Sequence, residues 1–182
     1  DLATKWEFSP DKTVWTFHLR QGVKWHGDYG EFTADDVLFS LAKAADPKRS
    51  AFSGDFAALK SVEKVDPYTV KITLKHAMPS LLGLLTNYSG GFIVSKKAVE
   101  AMGDQYNSHP IGTGPFAFAS VTPNQSLELV ANEAYFRGAP MLKKISYRFL
   151  PSGASRDLAF RSGELDLEYG NSDQTWIDRM KK

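Results

Sequence analysis

The 182-residue chain contains no cysteine. That absence removes disulfides, thiolate metal sites and cysteine nucleophiles together. It suits an exported protein that folds without oxidative help, although many cytosolic proteins share it. No stretch approaches the ~18 apolar residues of a membrane span. The opening Asp1-Leu2-Ala3-Thr4-Lys5 lacks the apolar core of a signal peptide, so the expectation is a removed signal or a cut further in. An excess of charge is missing too. Twenty-two basic residues face twenty-one acidic ones, and clustered basic residues such as Lys96-Lys97 and Lys143-Lys144 form pairs, not long runs. Solvated surface explains those pairs, and no nucleic-acid partner is expected. What remains is an ordinary soluble composition, long enough for one large domain or two small ones.

Strand periodicity is clear near the start. Thr13, Trp15, Phe17 and Leu19 alternate with Val14, Thr16, His18 and Arg20, which predicts a hairpin over 6–19 with one strongly apolar face. Ser9-Pro10-Asp11-Lys12 supplies its turn. A helix follows, with Thr33 as N-cap, Asp35 and Asp36 in the first turn, and Val37, Leu38, Leu41 and Ala45 on one face. Asp46-Pro47 ends it. A second hairpin runs from Val62 to Leu74 around Asp66-Pro67. Pro79 can open a short helix through Leu85, Phe92-Ile93-Val94 reads as a short buried strand, and Ser95 caps a helix ending at Gly103.

The texture changes at His109-Pro110, the candidate domain junction. Beyond it lie three strand-like runs carrying Phe116, Leu127, Leu129, Val130, Ile145, Tyr147 and Phe149. A helix capped by Ser152 or Ser155 comes next, then a strand over Leu165–Tyr169, then the start of a helix over Asp173–Met180.

Catalytic signatures are scarce. Gly112-Thr113-Gly114-Pro115 lacks the Gly-Lys-Ser/Thr end of a phosphate loop; it reads as a turn with at least one glycine at positive φ. Glu164, Asp166 and Glu168, spaced by two, would share one face of a strand. They could form a glycosidase-like dyad or a cation site, against the plainer reading of like charges on an exposed edge. His18, His26, His76 and His109 show no short ligand spacing, and no Gly-x-Ser-x-Gly elbow occurs. No catalytic residue, metal site or cofactor is therefore expected. Trp6, Trp15, Trp25, Tyr88, Tyr135 and Tyr169 could stack on a ligand, but aromatics at strand spacing more often build core.

The order of motifs says more. Leu2-Ala3-Thr4-Lys5-Trp6-Glu7-Phe8-Ser9-Pro10-Asp11 leads into Thr13-Val14-Trp15-Thr16-Phe17-His18-Leu19-Arg20-Gln21-Gly22-Val23-Lys24-Trp25-His26, then Phe32-Thr33-Ala34-Asp35-Asp36-Val37. Val65-Asp66-Pro67-Tyr68-Thr69-Val70, Pro110-Ile111-Gly112-Thr113-Gly114-Pro115-Phe116, Asn132-Glu133-Ala134-Tyr135-Phe136 and Ser162-Gly163-Glu164-Leu165-Asp166 follow. This succession resembles the family 5 bacterial extracellular solute-binding proteins, the oligopeptide, dipeptide and nickel receptors of ABC transporters. The loop Gly27-Asp28-Tyr29-Gly30 departs from the family's usual aspartate-glycine.

The resemblance implies an α/β fold, a mixed α+β fragment of a periplasmic-binding-protein-like molecule. Residues 1–109 would be the small extra domain, and 110–182 part of ligand lobe I up to the crossing to a second lobe. It implies capture of a peptide or similar small solute by lobe closure, without catalysis, in the periplasm or another extracytoplasmic compartment, for an ABC permease in the inner membrane. Tyr169, Asn171, Asn87 and Tyr88 are the ligand-contact candidates it suggests. Self-association of the fragment through exposed strand edges is also expected. The alternatives are a carboxylate-dependent hydrolase using Glu164 and Asp166, or a structural interaction domain only.

Overall fold

The computed structural model describes residues 1–88, 90–170 and 173–180. The chain divides into two compact units, Asp1–Phe118 with Val130–Lys144, and Ala119–Leu129 with Ile145–Lys182. This division by contacts cuts the chain elsewhere than the junction expected at His109-Pro110.

In the first unit, β1 (Ala3–Phe8) and β2 (Val14–Leu19) form the expected hairpin. Asp11 organises its turn, accepting hydrogen bonds from the Ser9 hydroxyl and from the Thr13 amide and hydroxyl. With β3 (Leu59–Asp66) and β4 (Thr69–Leu74) they make an antiparallel sheet of order β1-β2-β4-β3. Trp15 stands opposite Ile72 and Phe17 opposite Val70. Strand residues alternate between faces, so Trp15, Phe17 and Leu19 share one face with Val70, Ile72 and Leu74, and all six are buried.

Helix α1 (Ala34–Ala45) contributes Val37, Leu41 and Ala44 to the same hydrophobic cluster, with Leu38 partly buried beside it. Thr33 is its N-cap in extended backbone, and its amide donates to Asp36 Oδ2 at 3.0 Å. The loop before α1 is held by Glu31, whose Oε1 accepts from the Gly22 amide at 2.6 Å and the Tyr68 hydroxyl at 2.8 Å. The Gly22 N–H, then Tyr68, keep the Glu31 carboxyl below its ordinary range, and the same bond raises the Tyr68 phenol.

Two expectations for the next segment need correction. Helix α2 (Leu81–Leu85) opens after Ser80, not at Pro79. Residues Phe92-Ile93-Val94 form no strand, and Phe92 is 63% exposed. The Val94 amide donates to Ser40 Oγ at 2.9 Å, and that hydroxyl donates back to the Val94 carbonyl at 3.3 Å. A helix side chain thus replaces the partner strand. Helix α3 (Lys96–Met102) behaves as read: Ser95 Oγ accepts from the Ala98 amide, and Gly103, at φ 53°, stops it.

The 110–115 segment differs from expectation as well. Neither Gly112 nor Gly114 has a positive φ. Their path is set by His26, whose amide donates to the Gly112 carbonyl at 2.9 Å. The His26 ring contacts the Gly112 amide through Nδ1 at 3.3 Å and the Gly114 carbonyl through Nε2 at 2.9 Å. Because Nδ1 faces an N–H it must accept, so the network assigns the hydrogen to Nε2. Asn132 Nδ2 donates to the same Gly114 carbonyl at 2.9 Å.

A second sheet, of order β5-β6-β7, consists of β5 (Phe116–Thr122), β6 (Ser126–Ala131) and β7 (Lys144–Arg148), whose strands pass from one unit into the other. The second unit adds α4 (Gly153–Arg161), capped by Ser152, and α5 (Gln174–Met180). The strand expected over Leu165–Tyr169 is absent. The amides of Glu164 and Leu165 both donate to the Ala159 carbonyl at the end of α4, at 2.9 and 3.2 Å. Gly163, at φ 78°, turns the chain there, so the segment leaves the helix through a cap and not into a ladder.

Candidate functional site

Asn87 and Tyr88 sit on the turn that closes α2. The Asn87 amide donates to the Leu84 carbonyl at 3.2 Å, and the Asn87 carbonyl accepts from Gly91 at 2.8 Å. Two glycines make this turn fit. A Cβ on Gly90 would come within 2.6 Å of the Phe56 ring, and one on Gly91 within 2.5 Å of the Leu84 carbonyl oxygen. Bare backbone is required at both. Tyr88 is thereby held outward, 76% exposed, with its ring edge-on to Phe52 at 6.2 Å.

Tyr169 belongs to the second unit and is 92% exposed. The next residue, Gly170, lies so close to Trp176 that any Cβ would overlap the indole. Trp176 is itself fixed by a 2.8 Å bond from Nε1 to Asp157 Oδ1 on α4. The exposed tyrosine therefore adjoins a backbone position packed against an anchored indole. Asn171 lies outside the described residues.

The carboxylate arrangement a hydrolase would need is not assembled. Without a strand over 165–169, Glu164, Asp166 and Glu168 have no common face. Glu164 accepts from Arg148 at 3.1 Å, Asp166 points to solvent, and both Glu168 carboxylate oxygens are covered with no hydrogen-bond partner. Among the described residues no group of three His, Asp or Glu side chains could hold a metal, and no helix is long and apolar enough to cross a membrane.

The first unit also contains a cleft of about 610 Å³ between the β1 end of the sheet and α2. Its walls are mostly apolar, and Asp1, Thr86 and Thr113 are the polar residues of its lining.

The match to the family described as bacterial extracellular solute-binding proteins, family 5 middle region, runs over residues 1–181. The chain belongs to that family. A putative ABC transporter peptide-binding protein of Brucella ovis is 36% identical over 180 residues, covering 94% of this chain and 33% of that protein. Di/tripeptide-binding protein 2 of Pseudomonas aeruginosa is 38% identical over 167 residues, covering 78% of this chain and 30% of that protein. Among solved structures, the binding protein MoaA of A. tumefaciens R10, in complex with mannopinic acid, superposes with a TM-score of 0.94 at 61% identity. That alignment covers 98% of this chain and 36% of MoaA.

The family 5 chain thus spans about a third of the length of the curated relatives it matches. Its mixed α/β architecture is that of periplasmic binding proteins, and the family binds substrates and does not transform them.

Proposed function

We propose that the full-length protein is the solute-binding component of an ABC importer, working in the periplasm or cell envelope and delivering its solute to an ABC permease. Residues 1–109 would serve as the small extra domain and 110–182 as part of the first ligand lobe. Lobe closure stabilised by the ligand's preference for the closed form is the mechanism, with no covalent step.

The observation carrying the solute class is the 61% identity, over nearly the whole chain, to a protein holding mannopinic acid. An opine, a small amino-acid conjugate rich in hydroxyls and carboxylate, is the solute we assign. Peptides are the second reading, favoured by the names of the Brucella and Pseudomonas relatives. Exposed Tyr88 and Tyr169, with Asn87 and Asn171, are assigned to ligand contact: phenols join an apolar face to a hydroxyl, and carboxamides both donate and accept. Strand edges left open in the isolated 182-residue chain favour its self-association.

Calorimetry of the full-length protein with mannopinic acid and with a dipeptide panel tests this. Micromolar binding of the opine alone supports the assignment, micromolar binding of dipeptides alone transfers it to peptides, and release of product from either would reveal an enzyme. Tyr88→Ala and Tyr169→Ala should each weaken binding about tenfold, on the order of 1.4 kcal/mol; unchanged affinity in both removes them from the site.

A further inference from the structure

One short segment of the first unit reaches the Tyr88 turn with two rings. Phe52 precedes the 3-10 helix Ser53–Phe56, and Phe56 closes it. Phe56 belongs to the buried cluster, and its ring is what a Cβ on Gly90 would strike. Phe52, four residues earlier, is outside that cluster and 44% exposed. Its ring stands 6.2 Å from that of Tyr88 at an interplanar angle of 81°, an edge-to-face arrangement that aromatic pairs favour.

The two rings do different things. Phe56 fixes the backbone of the turn through Gly90, but a fixed backbone still leaves the exposed Tyr88 side chain several staggered rotamers. Among the described residues no hydrogen bond engages the Tyr88 side chain, and Phe52 is the ring that packs on it. Phe52 is a firm support because its own backbone is held on both sides. Its amide donates to Ser50 Oγ at 3.1 Å, and its carbonyl accepts from the Asp55 amide at 3.0 Å. A side chain already held in one orientation loses less freedom when a ligand arrives.

We propose that Phe52 is a positioning residue for solute recognition, its ring holding the Tyr88 phenol in the orientation that meets the solute. The inference rests on the assignment of Tyr88 to ligand contact.

The test is calorimetry of full-length variants with mannopinic acid and the dipeptide panel. Phe52→Ala should weaken binding about fivefold, and Phe52→Tyr, which keeps a ring, should recover it. In the Tyr88→Ala background Phe52→Ala should cost nothing further. Three results would each overturn the inference alone: a loss in Phe52→Ala that persists without the Tyr88 ring, a loss that Phe52→Tyr shares, or full affinity in Phe52→Ala when Tyr88→Ala binds weakly. Full affinity in Tyr88→Ala would instead sink the contact assignment, and this inference with it. If Phe52→Ala does not fold, Phe52→Leu, apolar but without a ring, takes its place. If neither solute binds, fluorine NMR of 3-fluorotyrosine at position 88 decides: a resonance moved by Phe52→Ala supports the positioning role, and one left in place overturns it.

Discussion

Trp25 Nε1 donates to Asp36 Oδ2 at 3.3 Å, in the interior of the first unit. The same carboxylate accepts the Thr33 amide at the start of α1 and, through Oδ1 at 2.9 Å, the Lys96 amide at the start of α3. One aspartate, 6% exposed, therefore joins a loop and two helix starts.

Asp36→Ala would leave those donors without an acceptor in a buried setting. Bonds to a charged acceptor contribute about 1.5–3 kcal/mol each, and an orphaned buried donor costs about 1–3 kcal/mol. A loss of about 3 kcal/mol is expected in urea unfolding of the full-length protein. Asp36→Asn, which keeps one acceptor oxygen, should lose less. A loss in Asp36→Ala with none in the equally bulky Asp36→Asn would show that side-chain volume matters here and hydrogen bonding to the carboxylate does not.

The glycines separate into two kinds. Gly91→Ala must push a Cβ into the α2 backbone, and overpacking of this kind costs about 1–3 kcal/mol. A Cβ on Gly112 would sit 3.5 Å from the His26 ring, an ordinary contact, so Gly112→Ala should stay within about 0.5 kcal/mol of wild type. Thermal melts of the pair check the contrast, and the reverse order would contradict the geometry.

His26 should show its tautomer directly. Nitrogen-15 spectra are expected to report hydrogen on Nε2 and a bare Nδ1. His26→Ala removes two ring hydrogen bonds to the 112–114 backbone, a loss of about 2 kcal/mol at ~1 kcal/mol each. A ring protonated at Nδ1 in the native state at neutral pH would rule out the bond from Gly112.

Acid should weaken the fold through several surface carboxylates. Lys5 holds Glu7 below its ordinary range, the Ser9 hydroxyl does so for Asp11, the Gly22 amide for Glu31, Lys71 for Glu63 and the Tyr68 amide for Asp66. A value depressed on folding contributes stability above the unfolded carboxylate range, near ~4, and loses it as pH falls through the folded value. Unfolding free energy should therefore decline below about pH 4. In the double variant Asp11→Asn, Glu31→Gln that decline should be shallower. An unaltered slope in urea titrations at pH 7 and pH 3 would count against these two groups.

Local pattern was enough where local physics decides. Alternation of Trp15, Phe17 and Leu19 announced β2, and Thr33 with Asp36 announced α1. It misled where distant groups take over the backbone. Phe92-Ile93-Val94 has a strand's composition, but Ser40, 54 residues away from Val94, claims its hydrogen bonds. Leu165–Tyr169 alternates well, yet the end of α4 captures its first amide. Asp36 read as a first-turn acid, and its partners 11 and 60 residues away left no local mark. For the site, neither the approach of Gly90 to Phe56 nor that of Gly91 to the α2 backbone left a local mark. The apolar cleft escaped notice because its lining reads simply as core.

The first unit also carries a consequence for synthesis. It draws on Val130–Lys144 as well as Asp1–Phe118, and Asn132 grips the carbonyl that His26 also holds. A ribosome that has made residue 118 must add the stretch through 144 before the unit's last pieces exist, a wait of roughly one to five seconds at ~5–20 residues per second. During that interval the first sheet can form while the Gly114 carbonyl waits for Asn132. A nascent chain stalled so that residue 118 has just left the ribosome should be protease-sensitive around 110–115, and one stalled late enough to release residue 144 should not.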